Sequence, residues 1–417
     1  MTENERIFLK VLRAALAQEE PALPKTLSGE AWDALFALAA RQNVLPLVYA
    51  AVIAAPAGSA MDADRRASIR RQAMRLITLQ ARRTDAFVSV YRSLTDAGLR
   101  PLVVKGIVAR SLYPEPDLRI SGDEDLLIPE EDFAACHAAL MACGMEPLSP
   151  QEESGAAFEA GYRRADGTLY IELHQQFFSP ASDSYKDLNA FFTQVHARAV
   201  TIRLEECTFY TPAPTDHLLY LILHAFKHFL HGGFGLRQVC DIILYADAYG
   251  DGIDWAYLYA CCRQARAERF AAALFRIGEK YLTFDPVRAG YPDDWRGLSP
   301  DEGPLLADLL DAGAFGRSTR SREHSATMTL SAAAASRAGS RVYGGTIRGS
   351  LFPPADELAG RYPYLKQHPR LVPFAWVSRI LHYRRELKEH ADGDSAAEAV
   401  RIGKERVELL RRYGIID

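Results

Sequence analysis

Two aspartates stand one residue apart in the run Asp123-Glu-Asp-Leu-Leu-Ile128. In a strand, side chains two apart project to the same face. This spacing therefore sets the Asp123 and Asp125 carboxylates side by side while Leu126 and Ile128 point the other way. Two like charges that close repel unless a cation sits between them. Mg²⁺ (or Mn²⁺) takes carboxylate, water and phosphate oxygens, so the pair suits an ion that also grips a nucleoside triphosphate. Glu172 lies on a run that leaves a hairpin, with Tyr170 and His174 on its own face and Ile171 and Leu173 opposite. If that strand pairs beside the aspartate strand, Glu172 completes a three-carboxylate cluster of the kind used in two-metal nucleotidyl or phosphoryl transfer. Alternating acids on a surface strand give the same pattern without chemistry.

Lys105-Gly106 ends the short β-branched run Arg100-Pro-Leu-Val-Val104 and leads into a helix-like stretch from Ile107 to Tyr113. A strand, a glycine turn and a helix in that order let backbone amides face a phosphate, with the Lys105 ammonium nearby. The plain alternative is a lysine and a glycine that turn the chain. Farther on, His217, His224, His228 and His231 are separated by seven, four and three residues, along one helical face. Such a face lines a cleft, packs half-buried against a core, or binds zinc. The zinc reading lacks an H-E-x-x-H motif and meets the added cation of Lys227.

The elements that must position these residues follow from periodicity. A helical pattern from Glu5 to about Gly98 predicts an N-terminal helical subdomain over residues 1–98. Residues 99–212 read as a mixed α/β core. In it Pro129 opens a helix that Gly144 closes, and Asp166-Gly167 turns a hairpin. Residues 213–295 read as a helical subdomain lining the cleft, with Thr215 capping the histidine helix. Residues 296–417 read as a C-terminal helical region. Within it a Ser/Ala/Gly/Arg-rich stretch near 318–349 predicts a loop, lid or partly disordered segment. Its arginines, Arg317, Arg320, Arg322, Arg337, Arg341 and Arg348, are then either solvated or close over phosphate. The fold expectation is α+β: a small mixed β-sheet core flanked by N-terminal and C-terminal helical regions.

Composition bounds the partners. With 49 basic against 53 acidic residues, a net charge of −4, the 417-residue chain lacks the positive field of a general nucleic-acid binder. Six cysteines without C-x-x-C spacing predict reduced thiols and a cytoplasmic location, and no apolar run has bilayer-spanning length.

The ordered blocks resemble a known family. Val103-Val-Lys-Gly-Ile-Val-Ala-Arg-Ser-Leu-Tyr-Pro114 and Leu118-Arg-Ile-Ser-Gly-Asp-Glu-Asp-Leu-Leu-Ile128 resemble the bacterial uncharacterised nucleotidyltransferases of the polymerase-β-like superfamily. The resemblance continues through Ile171-Glu-Leu-His174, His224-Ala-Phe-Lys-His228, Leu236-Arg-Gln-Val-Cys-Asp241, Leu351-Phe-Pro-Pro and Tyr362-Pro-Tyr-Leu. It implies a Mg-dependent enzyme that moves a nucleoside monophosphate from an NTP to an acceptor and releases pyrophosphate. Asp123, Asp125 and Glu172 would hold the metal, and Lys105 and Gly106 would lie at the triphosphate. Arg119 would touch phosphate, while His224, Lys227 and His228 would face the cleft, supported by Arg237 and Asp241. Two departures stand out: Ile107 follows Gly106 where the superfamily has Ser or Gly, and Glu124 separates the aspartates where an apolar residue is usual. The acceptor, whether small molecule, protein or RNA, is not legible. A non-catalytic nucleotide-binding regulatory protein and a zinc-dependent hydrolase are the rival readings.

Overall fold

Val103, Leu126, Ile171 and Leu173 belong to three short runs rich in aliphatic residues, and the chain buries all four completely in the middle of one sheet. In this computed structural model, seven strands form that sheet. They are β1 (Leu102–Val104), β2 (Glu124–Leu127), β3 (Met145–Pro147), β4 (Glu159–Arg164), β5 (Tyr170–His174), β6 (Val200–Leu204) and β7 (Cys207–Thr211). Their order is β3-β4-β5-β2-β1-β7-β6. The structure describes residues 1–24, 26–148, 158–204, 206–298, 301–314, 316, 319–339, 362, 368–378 and 396–417. Helices cover both sides of the mixed sheet, so the fold is α+β as expected. Among the described residues no helix is long and apolar enough to cross a membrane.

The pairing at the centre decides the site. β2 runs antiparallel to β1 and parallel to β5, with Asp125 directly opposite Glu172. Neighbouring strands lie about 4.8 Å apart, so both carboxylates share one face, and a slip of one residue would send Glu172 to the other. The hairpin between β4 and β5 turns at Gly167, whose φ of 70° only glycine adopts freely.

The 34-residue helix Ala63–Asp96 braces the loops that enter these strands. Gln80 Oε1 accepts from the Ser121 amide at 2.8 Å, and Arg83 donates to the carbonyls of Thr168 and Ser121. Tyr91 Oη donates to Pro101 O at 2.8 Å and accepts from the Tyr210 amide at 2.9 Å. The histidine helix, Pro214–Leu230, packs on the helix Leu236–Tyr249.

Three local expectations need correction. Pro129 is extended, with ψ at 148°, and precedes a 3-10 turn, so the helix starts at Phe133. Gly144, φ 75°, does follow its end. Pro214 rather than Thr215 starts the histidine helix, because Thr215 Oγ1 accepts from the Asp254 amide of a neighbouring loop.

The third correction concerns the stretch near 318–349, where Arg320–Arg337 is an α-helix. Its buried stripe is Ser321, Arg322, Ser325, Met328, Thr329, Ala332, Ala333 and Ser336, a helical spacing written in small and polar residues. Arg322 is buried between Asp308 and Asp311, at 2.6 and 2.7 Å, and donates to Gly232 O. Arg406, on the helix Ala396–Arg412, donates to the carbonyls of Phe229 and His231. The open carbonyl end of the histidine helix is therefore capped by buried guanidinium groups. Arg337 reaches Ala265 O at 3.4 Å, while Arg317, Arg341, Arg348 and Leu351 to Pro354 lie outside the described residues.

Candidate active site

Asp125 is the hub. His174 Nε2 donates to its Oδ1 at 3.1 Å, and Lys105 Nζ lies 2.9 Å from its Oδ2. Burial alone would raise the Asp125 carboxyl, but Lys105 and His174 outweigh it and hold the group well below the usual carboxylate range. His174 Nε2 is also 3.5 Å from Glu172 Oε2, and its Nδ1 is 3.4 Å from Glu159 Oε2. Burial opposes its charge, yet the hydrogen bonds to Asp125 and Glu172 raise the imidazole to about 9, so it is an imidazolium at neutral pH. Ligand atoms of Asp125, Glu172 and His174 all lie within 4.8 Å of one another.

Asp123, one residue before β2, is partly buried and looks onto the same charges. Burial first, then the charges of Asp125 and Glu172, push its carboxyl up to about 6 against the pull of Lys105 and Arg237. The fold thus brings the three predicted carboxylates together and adds His174. The signal for His174 was its spacing of two from Glu172 on the same strand face.

The Lys105-Gly106 turn is arranged differently from the sequence reading. Lys105 itself takes a positive φ of 56° and Gly106 one of 38°. The Lys105 amide donates to His217 Nε2 at 3.2 Å, and the Ile107 amide donates to Glu124 Oε2 at 3.0 Å. Two amides of the turn are therefore used internally, and the Lys105 ammonium stands beside Asp125. That ammonium also lies 3.1 Å from His224 Nε2 and 5.9 Å from the Tyr220 ring centre. Glu124, the unusual acid between the aspartates, is a fully buried strut: Oε1 is 2.7 Å from Arg110 while Oε2 holds the Ile107 amide.

The histidines divide among three roles. His217 is buried between Thr211 Oγ1 and the Lys105 amide, and burial lowers it to about 3. His224 and His228 face each other, Nε2 to Nε2, at 3.1 Å. Burial, then Lys105 for His224 and Lys227 for His228, depresses both, the second to about 3. His231 meets Tyr185 Oη at 3.1 Å. Among the described residues, the group with metal-ligand spacing includes no histidine of this helix.

Arg119 pairs with Asp241 through two hydrogen bonds of 3.1 and 2.6 Å, and Tyr113 Oη donates to the same carboxylate at 2.8 Å. It is buried on Asp241 and not gathered with the carboxylates. Arg237 is the guanidinium whose charge bears on Asp123; it donates to Ile120 O at 3.1 Å, and its buried Nε has no hydrogen-bond partner. Lys227 is half-buried one residue before His228.

This donor set fits a divalent ion. Asp125 Oδ2 is buried with the Lys105 ammonium beside it, and His174 Nδ1 has the Glu159 carboxylate at 3.4 Å. The carboxylates of Asp125 and Glu172, with Asp123 alongside, are oxygen ligands suited to such an ion, and His174 would join them only on giving up its proton.

No curated protein and no solved structure matches the chain. A family model described as an uncharacterised nucleotidyltransferase matches residues 28–283, more than half the chain, and that span holds every residue of the cluster. By that match, which covers the strands and helices that assemble the carboxylates, the chain belongs to this family of nucleotidyltransferases.

Proposed function

We propose that the protein transfers a nucleoside monophosphate from an NTP to an acceptor in a divalent-metal-dependent reaction that releases pyrophosphate. The observation that carries the reading is the parallel register of Asp125 with Glu172, beside Asp123 and Lys105. The order of these residues resembles that of the polymerase-β-like superfamily, and Mg²⁺ or Mn²⁺ is the proposed ion. Asp123, Asp125 and Glu172 would hold it. When bound, it would supply positive charge to the triphosphate and acidity to the acceptor hydroxyl.

The acceptor oxygen bonds to the α-phosphorus in line, the bond from that phosphorus to the bridging oxygen breaks, and pyrophosphate leaves. The hydroxyl proton passes to Glu172, whose side chain is 23% exposed against 3% for Asp125 and so is open to a substrate. Lys105 and Arg237 offset the phosphate charge, and His224, Lys227 and His228 line the cleft.

The ion contacts of Lys105 and His174 with Asp125 favour one second reading, a regulatory protein that binds nucleotide without turnover. Two measurements separate the readings. NTP should raise the melting temperature more with Mg²⁺ or Mn²⁺ than with chelator, because a ligand of the native state alone adds stability. With α-labelled NTP and cell extract, the parent should label an acceptor and release pyrophosphate. Binding without either product leaves the regulatory reading standing.

A further inference from the structure

A cavity of about 720 Å³ is joined to the cluster by a chain of side-chain contacts; it opens at the end of the histidine helix and is lined also by Gly313, Ala314, Gly316 and Glu323. His228 belongs to both places. It lines the cavity, and the contacts His228 to His224, His224 to Lys105 and Lys105 to Asp125 span 3.1, 3.1 and 2.9 Å.

The cavity is built rather than incidental. A β-carbon on Gly232 would lie 2.2 Å from Gly316 O, and one on Gly316, φ 65°, would lie 2.2 Å from Gly233 O. Two backbones in such close contact keep side chains off that wall. Arg322 and Arg406 then fix the carbonyls of Gly232 and His231.

Its charge is equally specific. Arg41 and Lys227 line it, and among the described residues neither has a carboxylate within ion-pair distance. Burial lowers the Lys227 ammonium, the mark of a cation short of compensation. Glu323 also lines the cavity. The wall nearest the carboxylates, Arg41 and Lys227 to Gly232, lies inside the family-matched span, whereas Ala312 to Ala326 lie beyond it. That division suits a pocket for the variable substrate more than one for the shared NTP.

We infer that this cavity is the acceptor pocket and takes an acceptor bearing a phosphate or carboxylate group, held by Lys227 and Arg41. The inference rests on the nucleotidyl-transfer reading. The test is calorimetric titration of the full chain in EDTA with inorganic phosphate and, separately, with citrate. At least one should bind at a single site, and Lys227→Gln and Arg41→Gln should each weaken it about tenfold, the worth of one charge-assisted hydrogen bond. Lys227→Arg should restore most of the affinity. Phosphate binding alone identifies a phosphate-bearing acceptor, and citrate binding alone a carboxylate-bearing one. Saturating Mg-ATP, added without chelator, should leave the anion bound.

The inference is overturned if neither anion binds, if both glutamine variants bind like the parent, or if Mg-ATP displaces the anion. The last outcome would give the cavity to the NTP and leave nucleotidyl transfer intact. Failure of nucleotidyl transfer itself is read separately, from labelled NTP with Asp125→Asn.

Discussion

A β-carbon built on Gly106 would lie 2.0 Å from Glu124 Oε2, the oxygen that accepts the Ile107 amide. Gly106 and Glu124 thus fit each other, and the fit sets the turn that carries Lys105. Gly106→Ala meets both this clash and a φ of 38°, and should cost about 3 kcal/mol. Glu124→Gln leaves buried Arg110 without its counter-charge and should cost about 3 kcal/mol or more. Urea unfolding checks both, and a Gly106→Ala protein as stable as the parent would show that the turn is not held this way.

The two aspartates should separate in stability but not in activity. Asp123 is crowded by burial and by Asp125 and Glu172, so Asp123→Asn should melt at or above the parent temperature in EDTA. Asp125→Asn removes the anion shared by Lys105 and His174 and should melt several degrees lower. Both should lose transfer from labelled NTP by orders of magnitude, since each removes a metal ligand. Transfer surviving in Asp123→Asn would remove the catalytic assignment.

Arg119 should act through Asp241. Arg119→Lys keeps the charge but loses the two-pronged pairing, and should cost about 1–3 kcal/mol. Its Mg-ATP affinity should stay within about threefold of the parent, less than one hydrogen bond's worth. Arg237→Gln should show the reverse balance. An Arg119→Lys protein of parental stability with much weaker Mg-ATP binding would return Arg119 to the phosphates.

His217 makes stability depend on acid. Burial lowers it from 6.5 to about 3 in the folded chain, so between those values the unfolded chain binds the extra proton. Its contribution is full above pH 6.5 and is lost as pH falls toward 3. Each pH unit within that window costs about 1.4 kcal/mol. His217→Gln, whose Oε1 reaches the position of Nε2, should flatten the slope of unfolding free energy against pH by one proton. An unchanged slope from pH 6 to 4.5 would mean that His217 titrates normally.

The local devices were legible in the sequence. The same-face pairing of Glu172 with His174 two residues on, and the positive φ at Gly144 and Gly167, each depend on a few neighbouring residues, whereas the histidine helix starts at Pro214 and not at Thr215. Arg320–Arg337 escaped because its buried stripe is Ser, Thr, Ala and Arg, which hydrophobic periodicity does not register. By itself the sequence determined which side chains share a strand or helix face, since those periods follow from backbone geometry. Tertiary structure alone decided that Glu172 pairs beside Asp125, that His174 carries a proton between them, and that Arg119 closes on Asp241. Buried charges are set by through-space distance and desolvation, and residues such as Arg119 and Asp241 become neighbours only when the sheet and the histidine helix pack.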